Sequence, residues 1–302
     1  MMKTRKIRIL LVGIVIAIIS IVSVIGFFPP TSTQYENGQL LVDTNWLRNH
    51  TDDPEIRIID VRQNSKYLES HIPNAVHLDI EPLRTKSNGI TNVISQDIIN
   101  DILSELSITK ETTIVLYDDS NGLHAAWAFW VLEYSGHEDV RILNGQFNKW
   151  IIEGLPTSQQ IPTFPKSDYA SSDLKSEILV TKEWIVDNID NSDIILVDAR
   201  SPAEYREGYI PGAVNNEWIN SLSGIYIKVW KNEQQLTNWF ESKGITKDKL
   251  VVVYCRTGIR AAHSYFTLRL LGYPQLTVYD GSWEEWSSDP TLPINSQISH
   301  HL

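Results

Sequence analysis

One cysteine stands among 302 residues, and its near neighbours are cations. Cys255 opens the segment Cys255-Arg256-Thr257-Gly258-Ile259-Arg260. The stretch LVVVY before it is continuous, apolar and β-branched, as in a strand buried on both faces. After it, Ala261, Ala262, Tyr265, Phe266, Leu268, Arg269 and Leu270 suit a helix that Gly272 and Pro274 stop. The sulfur is therefore expected at a helix N-terminus. Unpaired backbone N–H groups gather there, and the helix dipole adds roughly half a positive charge. Successive N–H groups of a tight turn form a nest for anions. Gly258 supplies the backbone freedom such a turn requires. Arg256 and Arg260 add full charges. All of this favours thiolate over thiol and makes Cys255 a candidate nucleophile. A buried, inert cysteine is the plainer alternative, and the basic turn argues against it.

The elements that must hold this loop occur twice. Asp60, Arg62, Tyr67, Pro73 and Ala75-Val76 recur as Asp198, Arg200, Tyr205, Pro211 and Ala213-Val214. Further on, Gly122, Gly136, Gly145 and Trp150 recur as Gly258, Gly272, Gly281 and Trp286. A period this long signals duplicated domains, not a solenoid. In the second copy, strands are expected at residues 194–197, 250–254 and 276–279. Helices are expected at 181–187, 234–243 and 260–271. That alternation predicts an α/β fold with a mainly parallel sheet flanked by helices in each copy. Ligands of such sheets sit outside the carboxyl ends of the strands, where Cys255 falls. The first domain is assigned to residues 31–156 and the second to 177–302. Residues 157–176, rich in Ser, Pro, Thr and Gln, read as a linker.

The copies differ at the decisive position. The strand at 114–117 runs into Asp118-Asp119-Ser120-Asn121-Gly122, one residue longer than its counterpart. A carboxylate cannot carry sulfur, and two acids would repel an anionic substrate. The first domain is therefore expected to be catalytically silent. A metal site at Asp118 and Asp119 is the alternative, though no His or third carboxylate stands at a ligand spacing. Asp198 and Arg200 follow a strand and read as an ion pair at its end. His263 aligns with Trp127, which suggests packing more than base catalysis. Trp218 could wall the site or fill the core, and Trp283 and Trp286 read as core. No His-Cys-carboxylate metal spacing appears, and no cofactor is expected.

Composition limits the partners. Thirty-seven acidic residues face 26 basic ones, a net charge of −11, and four of the basic ones are Lys3, Arg5, Lys6 and Arg8. So acidic a chain is unsuited to nucleic acid. A lone cysteine excludes an intramolecular disulfide framework. Residues 9–28 carry no charge, about the length that crosses a bilayer as a helix. Residues 1–30 are thus expected to anchor the chain, with the basic flank cytoplasmic and the domains extracytoplasmic. A cleaved signal peptide, leaving an exported protein, is the rival reading.

The segments CRTGIR and VYDGSWEEW, with the duplication, resemble the rhodanese family of sulfurtransferases. The likeness runs from about Leu40 to Pro293. It implies two tandem rhodanese-like domains, the first inactive and the second catalytic. It further implies that Cys255 takes the outer sulfur of thiosulfate as a persulfide and passes it to cyanide or another thiophilic acceptor. Arg256, Thr257, Gly258, Ile259 and Arg260 would then line the donor site, with Arg200 near the substrate anion. Mercaptopyruvate enzymes of the family have small neutral residues after the cysteine, so Arg256-Thr257 favours thiosulfate. Arg260 stands where thiosulfate enzymes often have Thr, which leaves 3-mercaptopyruvate as an alternative donor. A phosphatase on this fold would need an arginine at position 261, where this chain has Ala261. A membrane-tethered persulfide carrier or sensor without steady turnover is the non-enzymatic alternative.

Overall fold

The structure, a computed structural model, describes residues 35–87, 90–171 and 174–298. The expected membrane segment at 9–28 lies outside the described residues. Among the described residues, no helix is long and apolar enough to cross a membrane.

Along the first repeat run β1 (Leu41–Val42), α1 (Thr44–Arg48), β2 (Ile56–Asp60), α2 (Asn64–Glu69), β3 (Val76–His77) and the hairpin β4 (Arg84–Ser87) and β5 (Ile90–Val93). Then follow α3 (Gln96–Glu105), β6 (Thr113–Tyr117), α4 (Leu123–Tyr134), β7 (Val140–Leu143) and α5 (Gln146–Ile152). The second repeat has β8 (Leu179–Val180), α6 (Lys182–Asn188), β9 (Ile194–Asp198), α7 (Pro202–Glu207), β10 (Val214–Asn215) and the hairpin β11 (Leu222–Ser223) and β12 (Val229–Trp230). It ends with α8 (Glu233–Glu241), β13 (Leu250–Tyr254), α9 (Ile259–Leu270), β14 (Leu276–Tyr279) and α10 (Ser282–Ser288).

Each repeat forms one parallel sheet, ordered β1-β7-β6-β2-β3 in the first and β10-β9-β13-β14-β8 in the second. β13 is the central strand of its sheet, in register with β9 from Leu250↔Ile194 to Tyr254↔Asp198. Val251, Val252, Val253 and Tyr254 are fully buried, which is why this strand alternates nothing and reads as an unbroken apolar run. Its end is thereby fixed from both sides, and the loop that follows starts from a rigid point. Gly272, at φ +75°, ends the turn after α9 in the left-handed region.

The two repeats pack through α4 and α9. From Ala125 to Glu133, α4 is buried on every side, so it carries no polar stripe. Phe129 meets Phe266 edge-on at 4.9 Å. Glu133 crosses to α9, where it pairs with Arg269 at 2.6 Å and accepts the Tyr265 hydroxyl at 3.0 Å. The hairpins exchange as well. Trp230 donates its backbone N–H to Asn144 at 3.1 Å, and Val93 donates its own to Asp280 at 2.6 Å. The Ser/Pro-rich segment between the repeats does not hang free. His71 pairs with Ser158, Ser167 N–H donates to the Ser104 carbonyl, and Lys175 N–H donates to the Tyr134 carbonyl.

Candidate active site

Cys255 lies one residue beyond β13 and is 1% exposed. The start of α10 holds it. Its N–H donates to Ser282 Oγ at 3.1 Å, and its carbonyl accepts from Trp283 N–H at 3.0 Å. The Arg256 carbonyl accepts from Glu284 N–H at 2.9 Å, so the first turn of α10 is laced to the loop. Gly258 stands at φ +88° immediately before α9. A Cβ there would come within 2.7 Å of Asp280 Oδ1 and 3.0 Å of the Trp127 ring. Glycine is thus required twice over, by the backbone angle and by close approach. The turn then delivers the sulfur to the start of α9, whose first N–H groups have no intrahelical partners.

The basic residues of the loop separate into different roles. Arg256 is exposed, while Thr257, Ile259 and Arg260 are half-buried. Arg260 forms a two-pronged pair with Glu204 of α7, at 2.7 and 2.9 Å. Glu204 itself belongs to a capping box with Ser201, so its carboxylate is held from two directions. The Arg260 bond, aided by Ser201, pulls the Glu204 carboxyl down to about 2. Arg260 is raised in turn, first by Glu204, with Cys255 beside it acting in the same direction.

Arg200 departs from the expectation that it faces a bound anion. Its Nε and Nη2 are committed to Asp198, at 2.6–3.0 Å, and Nη2 also donates to the Gly208 carbonyl at 2.6 Å. The guanidinium lies over the Trp283 ring, 4.4 Å from its centroid, and the residue is 2% exposed. Arg62 makes the same set of bonds with Asp60 and Ser70 in the first repeat. An arginine held identically in both repeats is a scaffold that ties a strand end to the following turn. The structure thus places Arg200 in an Asp198–Gly208 scaffold, in agreement with the ion-pair reading of Asp198.

At the matching place in the first repeat, Asp118 is fully buried. Its carboxylate accepts from Ser120 N–H and Oγ, Gly122 N–H, His124 N–H and Ala125 N–H, at 2.8–3.2 Å. The nest is filled by the loop's own side chain. Among the described residues, no group of three His, Cys, Asp or Glu could hold a metal ion.

The rhodanese-like domain matches residues 43–153 and again 181–289. The chain belongs to the rhodanese family. Among its relatives is the sulfur carrier protein TtuD of Thermus thermophilus, 35% identical, aligned over 86% of this chain and 98% of that protein. A thiosulfate sulfurtransferase of Azotobacter vinelandii is 30% identical, over 84% and 96%. A solved structure of the anaerobic ergothioneine biosynthesis enzyme from Chlorobium limicola, in complex with trimethyl histidine, superposes with TM-score 0.78 and 26% identity. It covers 87% of this chain and 72% of that one. This rhodanese is an enzyme of the sulfurtransferase type.

Within this rhodanese, His263 is a packing residue. It is fully buried, stacks on Trp230 at 5.0 Å and meets Trp218 edge-on at 4.9 Å, and burial pushes it down to about 3. A ring whose proton affinity is cut this far by burial among tryptophans is a poor general base at neutral pH. Trp286 is core as expected, whereas Trp283 is half-buried beneath Arg200. Three residues escaped the sequence reading. Glu204 was signalled by its capping box, Ser201-x-x-Glu204. Ser282 and Asp280 lie inside the VYDGSWEEW segment, but nothing local says that they reach the cysteine loop.

Proposed function

We propose that this rhodanese moves a sulfane sulfur from thiosulfate, through a persulfide on Cys255, to cyanide or another thiophilic acceptor. The observation that carries the reading is the exchange at the loop: Cys255 in the second repeat, a self-filling Asp118 in the first. The Cys255 thiolate attacks the outer sulfur of thiosulfate. A sulfur–sulfur bond forms at the cysteine as the one in thiosulfate breaks, and sulfite leaves with the bonding electrons. Cyanide then attacks the outer sulfur of the persulfide, thiocyanate departs, and the thiolate is restored. Both steps bring anions together, which N–H donors of the α9 start and the exposed Arg256 offset. Arg260 keeps its charge beside Cys255 while Glu204 fixes its direction. The relatives named thiosulfate sulfurtransferase support this donor.

A second reading rests on the likeness to the sulfur carrier TtuD: the same Cys255 persulfide would be handed to a protein acceptor. One experiment tests both. Protein incubated with thiosulfate and analysed by mass spectrometry should carry one added sulfur on Cys255, with one equivalent of sulfite released. Rapid discharge by cyanide with steady turnover supports the enzyme reading. Loading followed by slow discharge to cyanide favours the carrier. No adduct on Cys255 would rule out both.

A further inference from the structure

Asp280 sits at the end of β14, is 3% exposed, and touches both the cysteine loop and the other repeat. Its Oδ2 accepts the Val93 N–H of the first repeat's hairpin at 2.6 Å. Its Oδ1 is buried without a hydrogen-bond partner and faces Gly258, 2.7 Å from where a Cβ would stand. The first repeat offers an internal control. There Asn144 holds the matching position and accepts the Trp230 N–H of the second repeat's hairpin at 3.1 Å. The clamp is therefore reciprocal, yet only the repeat with the cysteine builds it from an acid. An amide would hold the hairpin equally well. What the acid adds is a proton.

We propose that Asp280 is a positioning residue that couples the first-repeat hairpin to the cysteine loop, and that its proton decides whether the loop accepts an anionic donor. The idea rests on the sulfurtransferase reading above. Neutral, the carboxyl can present an O–H toward the loop while Val93 stays bound. Ionised, it places a charge with one unpartnered oxygen against Gly258, behind a nest that must take a dianion. Burial pushes this carboxyl up to about 7, so the switch falls within the working range. The groups set around it do not replace the missing donor. Arg84 of the hairpin opposes the rise and Glu285 adds to it, while Tyr279 and Tyr134 lie close enough for the Asp280 charge to raise them. Glu284 is occupied by Thr91 of the same hairpin, with Lys86 of that hairpin 3.8 Å away.

The test compares wild type with Asp280→Asn, the residue that nature uses at position 144. Wild-type KM for thiosulfate should rise about tenfold as pH passes through about 7, and in Asp280→Asn that limb should vanish. Stability provides a separate arm. The folded acid keeps its proton to about 7 and the unfolded one only to 3.8, so wild type loses stability as pH rises through that window and no further above it. The Tm advantage of Asp280→Asn should therefore grow across the window and then stay constant. Parallel KM profiles in two active proteins would overturn the proposal, and a Tm difference without a KM difference would reduce Asp280 to a structural acid and overturn it as well. Should Asp280→Asn fail to fold, Val93→Pro decides. Removing the N–H that favours the ionised form should move the KM limb to higher pH, and an unmoved limb sinks the idea. Absence of Cys255-dependent transfer in wild type at any pH is a different outcome, which removes the sulfurtransferase reading itself.

Discussion

The loop at Asp118 and the loop at Cys255 share a strand, a glycine at positive φ and a helix start, yet one is closed and the other is armed. Gly122 and Gly258 stand at φ +83° and +88°, so the turn geometry has survived in both. In the first, five donors converge on a carboxylate that belongs to the loop. That loop binds its anion covalently and permanently. In the second, Cys255 takes the place of that carboxylate, and under the proposed function the nest is left for the incoming sulfur donor. The bridge to the neighbouring short helix is also kept, with its charges reversed: Lys66 to Asp119 in the first repeat, Glu204 to Arg260 in the second. The contrast teaches that the nest is a property of the fold, and that the chemistry depends on which atom occupies it.

The largest effect tests the armed loop. Cys255→Ser should abolish sulfur transfer from thiosulfate to cyanide, while Asp118→Ala leaves kcat/KM per folded molecule close to wild type. Comparable losses in both variants would end the contrast.

The closed loop should respond in stability instead. Asp118→Ala strips a buried, fully bonded carboxylate and strands its donors, at a cost of about 3 kcal/mol. Urea unfolding measures it. An unchanged midpoint would mean that the loop does not depend on its own carboxylate.

Donor choice sharpens the comparison further. Arg256 is exposed beside Cys255, with no counterpart in the acidic first loop. Arg256→Gly should lower kcat/KM for thiosulfate by roughly ten- to hundredfold, the equivalent of one charge-assisted contact. The fall for mercaptopyruvate, with a single negative charge, should be smaller. Equal falls would assign donor binding to the backbone nest alone.

The smallest effect concerns the bridge. Glu204 is held at about 2 when folded, against an ordinary 4.5. A depressed carboxyl contributes stability that is fully present above the unfolded value and is lost as pH falls through the folded one. Glu204→Gln should therefore cost about 1 kcal/mol at neutral pH, given its partial exposure. The gap to wild type should close as pH drops from about 4.5 toward 2. Thermal melts across that range check it, and a gap that persists at the acid end would show that the pair is not its source.

Much of this was legible in the chain itself. The duplication, the alternation of strands and helices, the strand-Cys-turn-helix unit and the Asp118 substitution are local patterns. β13 reads as a buried strand because four consecutive buried residues leave no room for alternation. Helix α7 was not among the helices expected, although its capping box, Ser201-x-x-Glu204, is a local signal. Such features depend on neighbours a few positions apart, so their order in the sequence suffices.

Residue roles set by distant partners were not legible. Arg200 carries the same charge wherever it points, and only the packed structure shows it bonded to Asp198 and Gly208. Arg260 looked free until α7 brought Glu204 to it across 56 positions. Asp280 met Val93 across 187 positions, through a hairpin from the other repeat. The sequence by itself determined which repeat holds the cysteine and which the carboxylate, because that is a matter of atom type. Which charges remain available beside that cysteine was decided only by the tertiary structure, because a charge is neutralised by whatever folding places within a few ångströms of it.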